Sequence, residues 1–167
     1  MPKPVFSRSG SMLIEFTLTS IPLMFVVVSS VWMCLGMWQY HTLAEAVNAT
    51  ARYASVHGAG CAGQACATTA EQIANTLAGR AVGIPAGQMN VTLTSSASTI
   101  TCNPLTSCYT NANPWPSLAG NVALTTNISI NATYQLGSPI SIWSPGGGGT
   151  QFSALTLGAN SKQPVIF

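Results

Sequence analysis

The chain opens with a long apolar block and then breaks into short periodic segments. Residues 16–44 contain no Asp, Glu, Lys or Arg. The apolar heart reads Ile21-Pro22-Leu23-Met24-Phe25-Val26-Val27-Val28, then Val31-Trp32-Met33-Cys34-Leu35-Gly36-Met37-Trp38. About 20 such residues cross a bilayer. The block outruns the roughly 7–15 residue core of a cleavable secretory signal, and no small-residue cleavage site directly follows it. A soluble protein would need a larger remainder to enclose so long a helix. The pattern therefore predicts one membrane-spanning helix, with Pro22 as a point of kinking. Past the span, Leu43, Val47, Ala51 and Ala54 recur at three- and four-residue spacing, so the helix continues as an apolar stripe. Gly58-Ala59-Gly60 supplies the stop. A continuous helix over 11–57 would extend about 70 Å, far beyond a hydrocarbon core of about 30 Å. Its outer half is expected to pack on a head or on a neighbour, giving a lollipop shape.

The remainder predicts a small head. A second helix is expected over 68–82, opened by a Thr68-x-x-Glu71 capping box and stopped by Gly83 and Pro85. Ile73, Ala74, Leu77, Ala78 and Ala81 form its apolar face. Met89, Val91 and Leu93 then alternate with Asn90, Thr92 and Thr94. Over 121–135, Val122, Leu124, Ile128, Ile130 and Tyr134 share one face, and Asn121, Thr125, Asn127, Ser129, Asn131 and Gln135 the other. Strict period two means strands with one solvated face. Residues 99–102, 140–143 and 152–157 are weaker strand candidates. The expected fold is α+β: a long N-terminal transmembrane α-helix continuing into a head where a second helix packs with an antiparallel sheet. The corresponding segments are a leader over 1–10, the helix over 11–57 and the head over 58–167.

Charge narrows the function. Charged residues make up only 5% of the chain, against about 25% in ordinary globular proteins. Five Lys and Arg without a basic cluster cannot neutralise a run of phosphates, so nucleic acid is not expected as a partner. Three carboxylates and two histidines, scattered along the chain, leave little for acid–base catalysis or for a metal, and no cofactor is expected. There is no Gly-x-Ser-x-Gly, and His41, Glu45, His57 and Glu71 read as helix-surface or helix-end residues, so the chain is not read as an enzyme. Lys3 and Arg8 precede the span and no cation follows until Arg52, which predicts an N-terminus in the cytoplasm and a head outside. Trp32, Trp38 and Tyr40 lie toward the outer interface.

Several local features have a sharp and a bland reading. Gly146–Gly149 lack the Lys-Ser/Thr of a phosphate cradle and read as a flexible loop. Trp115, in Asn113-Pro114-Trp115-Pro116, is either an exposed aromatic or, as the safer reading, a plug under its loop. Cys34 within the span reads as a small apolar residue. Cys61, Cys66, Cys102 and Cys108 lie on the outer side, where disulfides persist. Their connectivity stays open, with close spacing favouring Cys61–Cys66 and Cys102–Cys108. Zinc on His57, Cys61 and Cys66 matches no common closed site, so no metal is expected. Glu15, at the inner end of the span, is either a boundary marker or a functional carboxylate.

Spacing favours the second reading of Glu15. A cut after Gly10 would make Ser11 the first residue and set Glu15 one helical turn beyond it. This arrangement resembles the class III signal of type IV pilins and pseudopilins. More narrowly, Gly10 to Arg52 resembles the TadE-like pseudopilins of tight-adherence (Tad) pili. The shared features are Glu15-Phe16-Thr17-Leu18, Pro22, Tyr40 and the Ala-rich run Ala44-Glu45-Ala46-Val47-Asn48-Ala49-Thr50-Ala51-Arg52-Tyr53-Ala54. Thr17, Thr19 and Ser20 stand where such proteins more often have apolar residues. The resemblance implies a bacterial chain, so the Asn-x-Ser/Thr triplets at Asn48, Asn90, Asn127 and Asn131 reflect composition.

The resemblance implies a minor pilin or pseudopilin, cut at Gly10–Ser11 by a prepilin peptidase in the bacterial inner membrane. It would then be assembled through Glu15, Phe16 and the apolar helix. Its implied partners are the lipid bilayer, other pilin or pseudopilin subunits and the inner-membrane assembly platform. The destination is the pilus or cell surface, for biogenesis or adhesion. Two alternatives remain: an uncleaved, membrane-anchored binding module, and a major filament subunit, against which the length of the chain argues.

Overall fold

In a computed structural model, residues 9–57, 68–116, 127–137 and 155–165 are described. The chain divides into two compact units, Met1–Gly36 and Met37–Phe167.

Helix α1 spans Ser9–Val56. Its first part is apolar on every side, and Met12, Leu13, Ile14, Phe16, Leu18, Leu23, Met24 and Val26 are all exposed. Four of the hydroxyls in this stretch are satisfied within the helix. Thr17 Oγ1 donates to the carbonyls of Leu13 (3.0 Å) and Ile14 (2.9 Å), and Thr19 Oγ1 to those of Glu15 (3.0 Å) and Phe16 (3.1 Å). Ser20 and Ser30 donate three residues back, to Thr17 and Val27. Such bonds make hydroxyl side chains tolerable in an apolar setting. Pro22 lies inside the helix without ending it.

The second unit holds the rest of α1, a second helix and a sheet. Leu43, Val47, Ala51 and Ala54 are each 0% exposed, as the periodicity predicts. Burying a side chain such as Leu43 contributes about 1.5–3 kcal/mol. Helix α2 spans Ala70–Arg80, shorter than the expected 68–82, and buries Ala70, Ile73, Ala74 and Leu77. Its cap is one residue later than the sequence pattern suggested. Thr69 Oγ1 accepts from the Gln72 amide and Gln72 Oε1 accepts from the Thr69 amide, both at 3.3 Å. Thr68 is engaged elsewhere. Its buried hydroxyl donates toward the carbonyls of Trp115 (2.8 Å) and His57 (3.1 Å). Gly83, at φ +82°, turns the chain after α2, and its carbonyl accepts from Gln39 Nε2 on α1 at 3.3 Å.

The four-stranded sheet is antiparallel throughout, in the order β2-β1-β3-β4, from β1 (Met89–Thr94), β2 (Thr99–Cys102), β3 (Asn127–Leu136) and β4 (Leu155–Pro164). Met89, Val91, Leu93, Cys102, Ile128, Ile130, Ala132, Tyr134, Leu157 and Ala159 are buried on one face. The other face carries Thr92, Asn131 and Asn160 in one cross-strand row, and Thr94, Ser129 and Lys162 in the next. The fold is thus α+β and pilin-like, with the long N-terminal helix, a second helix and an antiparallel sheet. Strand β4 corrects the reading of 152–157, continuing to Pro164 in register with the whole of β3, from Leu136↔Leu155 to Asn127↔Pro164. Beyond Leu157, Ala159 and Ser161 take its inward positions, so the alternation there exists without large apolar side chains. Residues 121–126 and 140–143, the glycine run and the leader residues 1–8 lie outside the described residues.

Candidate functional site

Helices are set by spacing, and spacing gives this chain its most informative surface. Residues four apart stack on one helical face. Ser11 and Glu15 stand in that relation on α1, and the Gly10–Ser11 peptide bond lies in the helix's opening turn. The Glu15 side chain is exposed, with no hydrogen bond or ion pair among the described residues. Phe16, beside it, is 69% exposed. From Met12 onward the helix is long and apolar enough to cross a membrane. An apolar surface on all sides requires lipid or other apolar helices around it.

The cysteine-bearing loop is built around a short cross-link. Cys102 ends β2 and Cys108 ends the 3-10 turn Leu105–Cys108, and the two form a disulfide with Cα atoms 5.5 Å apart. Cys61 and Cys66 lie outside the described residues. Cys34 is a free thiol exposed on α1. The chain after Cys108 folds over the start of α2. The Ala70 amide donates to the Asn113 carbonyl (2.9 Å), Glu71 to Asn111 (3.0 Å), and Trp115 to Thr68 (3.0 Å). The loop carbonyls thereby take up donors that a helix N-terminus leaves unpaired. Trp115 is 0% exposed, which settles it as a plug. His57 stacks on Tyr53, ring centroids 4.3 Å apart, and its Nδ1 lies 2.9 Å from the Tyr53 carbonyl. That geometry gives the imidazole a structural place at the helix end.

A polar groove that sequence reasoning missed lies along the C-terminal part of α1. His41, Glu45, Asn48 and Arg52 line it from α1, and Arg80 from the last turn of α2. The signal was available in the scarcity of charge, since three of the chain's eight charged residues meet here.

The family model described as TadE-like protein matches residues 10–52. Over these residues the chain is similar to that family. The TadE-like segment begins at the Gly10 of the Gly10–Ser11 bond and ends at the Arg52 of the groove. It takes in nearly all of the exposed apolar surface of α1, Val56 excepted, and most of its buried stripe. The apolar helix agrees with attachment to a membrane. No curated protein and no solved structure matches the chain.

Proposed function

We propose that the chain is a structural minor pilin or pseudopilin of a Tad-type pilus, cut between Gly10 and Ser11 and assembled through α1. The observation that carries this reading is the TadE-like match over a helix that is apolar all round and bears one carboxylate, Glu15, a turn beyond Ser11. Before the cut, the helix anchors the chain in the inner membrane, with Lys3 and Arg8 holding the leader on the cytoplasmic side. A prepilin peptidase removes residues 1–10. The cut creates an α-ammonium group at Ser11, in reach of a glutamate four residues along its own helix or on a neighbouring one.

Leaving lipid for a bundle of like helices exchanges one apolar surrounding for another, so packing and polar pairing decide the outcome. In such a setting an unpaired carboxylate is costly, and its pairing with an ammonium sets the axial register of one helix against the next. The assembly platform in the membrane supplies the site of transfer. The role is structural rather than enzymatic.

The test is the intact mass and N-terminal sequence of the protein from its native cells, in membranes and in sheared surface material. A chain beginning at Ser11 and present in the sheared fraction is the expected result. A chain retaining residues 1–10 and confined to membranes would leave an anchored binding module instead.

A further inference from the structure

Charges are few enough in this chain to follow individually. In the second unit the carboxylate side chains are Glu45 and Glu71, and the cations are Arg52, Arg80 and Lys162. Arg52 and Arg80 converge on the polar groove, and neither guanidinium has a hydrogen bond or ion pair among the described residues. Glu45 also lines the groove but sits two helical turns before Arg52, about 10 Å along the axis and beyond ion-pair reach. Two arginines therefore face an opening with no paired anion, and guanidinium groups are well suited to grip a carboxylate.

Helix α2 carries the complementary group. Glu71 stands in its first turn and Arg80 in its last, separated by about 14 Å along the axis, so they cannot meet within one copy. Glu71 likewise has no side-chain partner among the described residues. The helix dipole accounts for an acid at one end and a base at the other. It does not account for Arg80 joining Arg52 on a single groove.

We propose that this groove receives Glu71 from a second copy of the chain, in a head-to-tail contact between adjacent subunits. In a head-to-tail arrangement one acid enters one groove, and the contact is heterologous. Each copy then keeps a free acid at one side and a free groove at the other, and the contact propagates wherever the rotation between copies does not close a ring. This rests on the pilus reading above and adds that copies of this subunit stand next to one another.

The test is a charge exchange in the full chain, expressed in its native cells and read as the amount in sheared surface material relative to membranes. Glu71→Arg alone and Arg80→Glu alone are each expected to lower the sheared amount about tenfold, because like charges are brought together. The double variant, carrying both reversals, is expected to return it to within about threefold of the parent. Singles that shear off like the parent, or a double variant no better than the singles, would overturn the contact while leaving the pilus reading intact. Absence of the parent chain from sheared material would instead remove the pilus reading, and this contact with it.

Discussion

The six-membered edge of the Trp38 indole lies directly over Gly83. A Cβ placed on Gly83 would stand 2.6 Å from Trp38 Cζ3 and 2.7 Å from Cη2. Gly83 also holds φ at +82°, where side chains are strained. Gly83→Ala is therefore expected to destabilise the head by about 2 kcal/mol or more, through backbone strain and the clash together. Thermal unfolding of the detergent-solubilised protein by circular dichroism measures it. Trp38→Ala in the same chain removes the clash and leaves the strain, so the two changes together should cost less than their sum. Strict additivity would show that the ring moves aside freely.

The frame of the α2 cap can be read by mutation. Thr69→Ala removes the hydroxyl that accepts from the Gln72 amide and should cost about 1 kcal/mol. Thr68→Val removes a buried hydroxyl that serves the Trp115 and His57 carbonyls, and should cost about 1–3 kcal/mol. Glu71→Ala should cost only the dipole interaction of a first-turn acid, about 0.3–1 kcal/mol, because its side chain takes no part in the cap. A loss well above that of Thr69→Ala would restore the Thr68–Glu71 box.

The Cys102–Cys108 bond closes a short loop, so its entropic contribution is small, about 2 kcal/mol. Its main effect is local. Cys102→Ser with Cys108→Ser should loosen the segment that carries Asn111, Asn113 and Trp115 onto α2. Limited proteolysis should then cut within residues 103–116 well before the parent chain is cut there. Equal resistance in the two proteins would mean that the Trp115 plug and the α2 contacts hold the loop without the bond.

Glu15→Gln keeps the size and hydrogen-bonding capacity of the side chain and removes its charge. The expected outcome is a chain still cut after Gly10 but strongly reduced in sheared material. Gly10→Val should block the cut itself and keep the chain in membranes. Mass spectrometry of the two fractions distinguishes them, and normal assembly of the Glu15→Gln chain would end the register role given to that carboxylate.

Much of this architecture was legible because periodicity is a direct imprint of burial. The Leu43–Val47–Ala51–Ala54 stripe and the Ile128–Ile130–Tyr134 face each required large or consistent apolar residues at fixed spacing. Strand β4 was cut short in the reading because Ala159 and Ser161 fill its inward positions, and Gly158 and Pro164 are weak strand formers. The α2 cap slipped by one because Thr68 and Thr69 are the same residue type with acceptors three positions on. Only tertiary contact, through Trp115 and His57, assigns each threonine its partner. The groove was hidden for a similar reason, since Arg52 and Arg80 come together only when α2 folds back along α1.

The hydroxyl groups of Thr17, Thr19, Ser20 and Ser30 all find their acceptors on the helix that carries them. A helix wired this way is indifferent to its host medium. It can be withdrawn from one greasy environment and slotted into another without any hydroxyl exchanging its partner on the way. These four hydroxyls thus add no barrier to extraction, whereas the comfort of the Glu15 carboxylate depends on where the rod ends up.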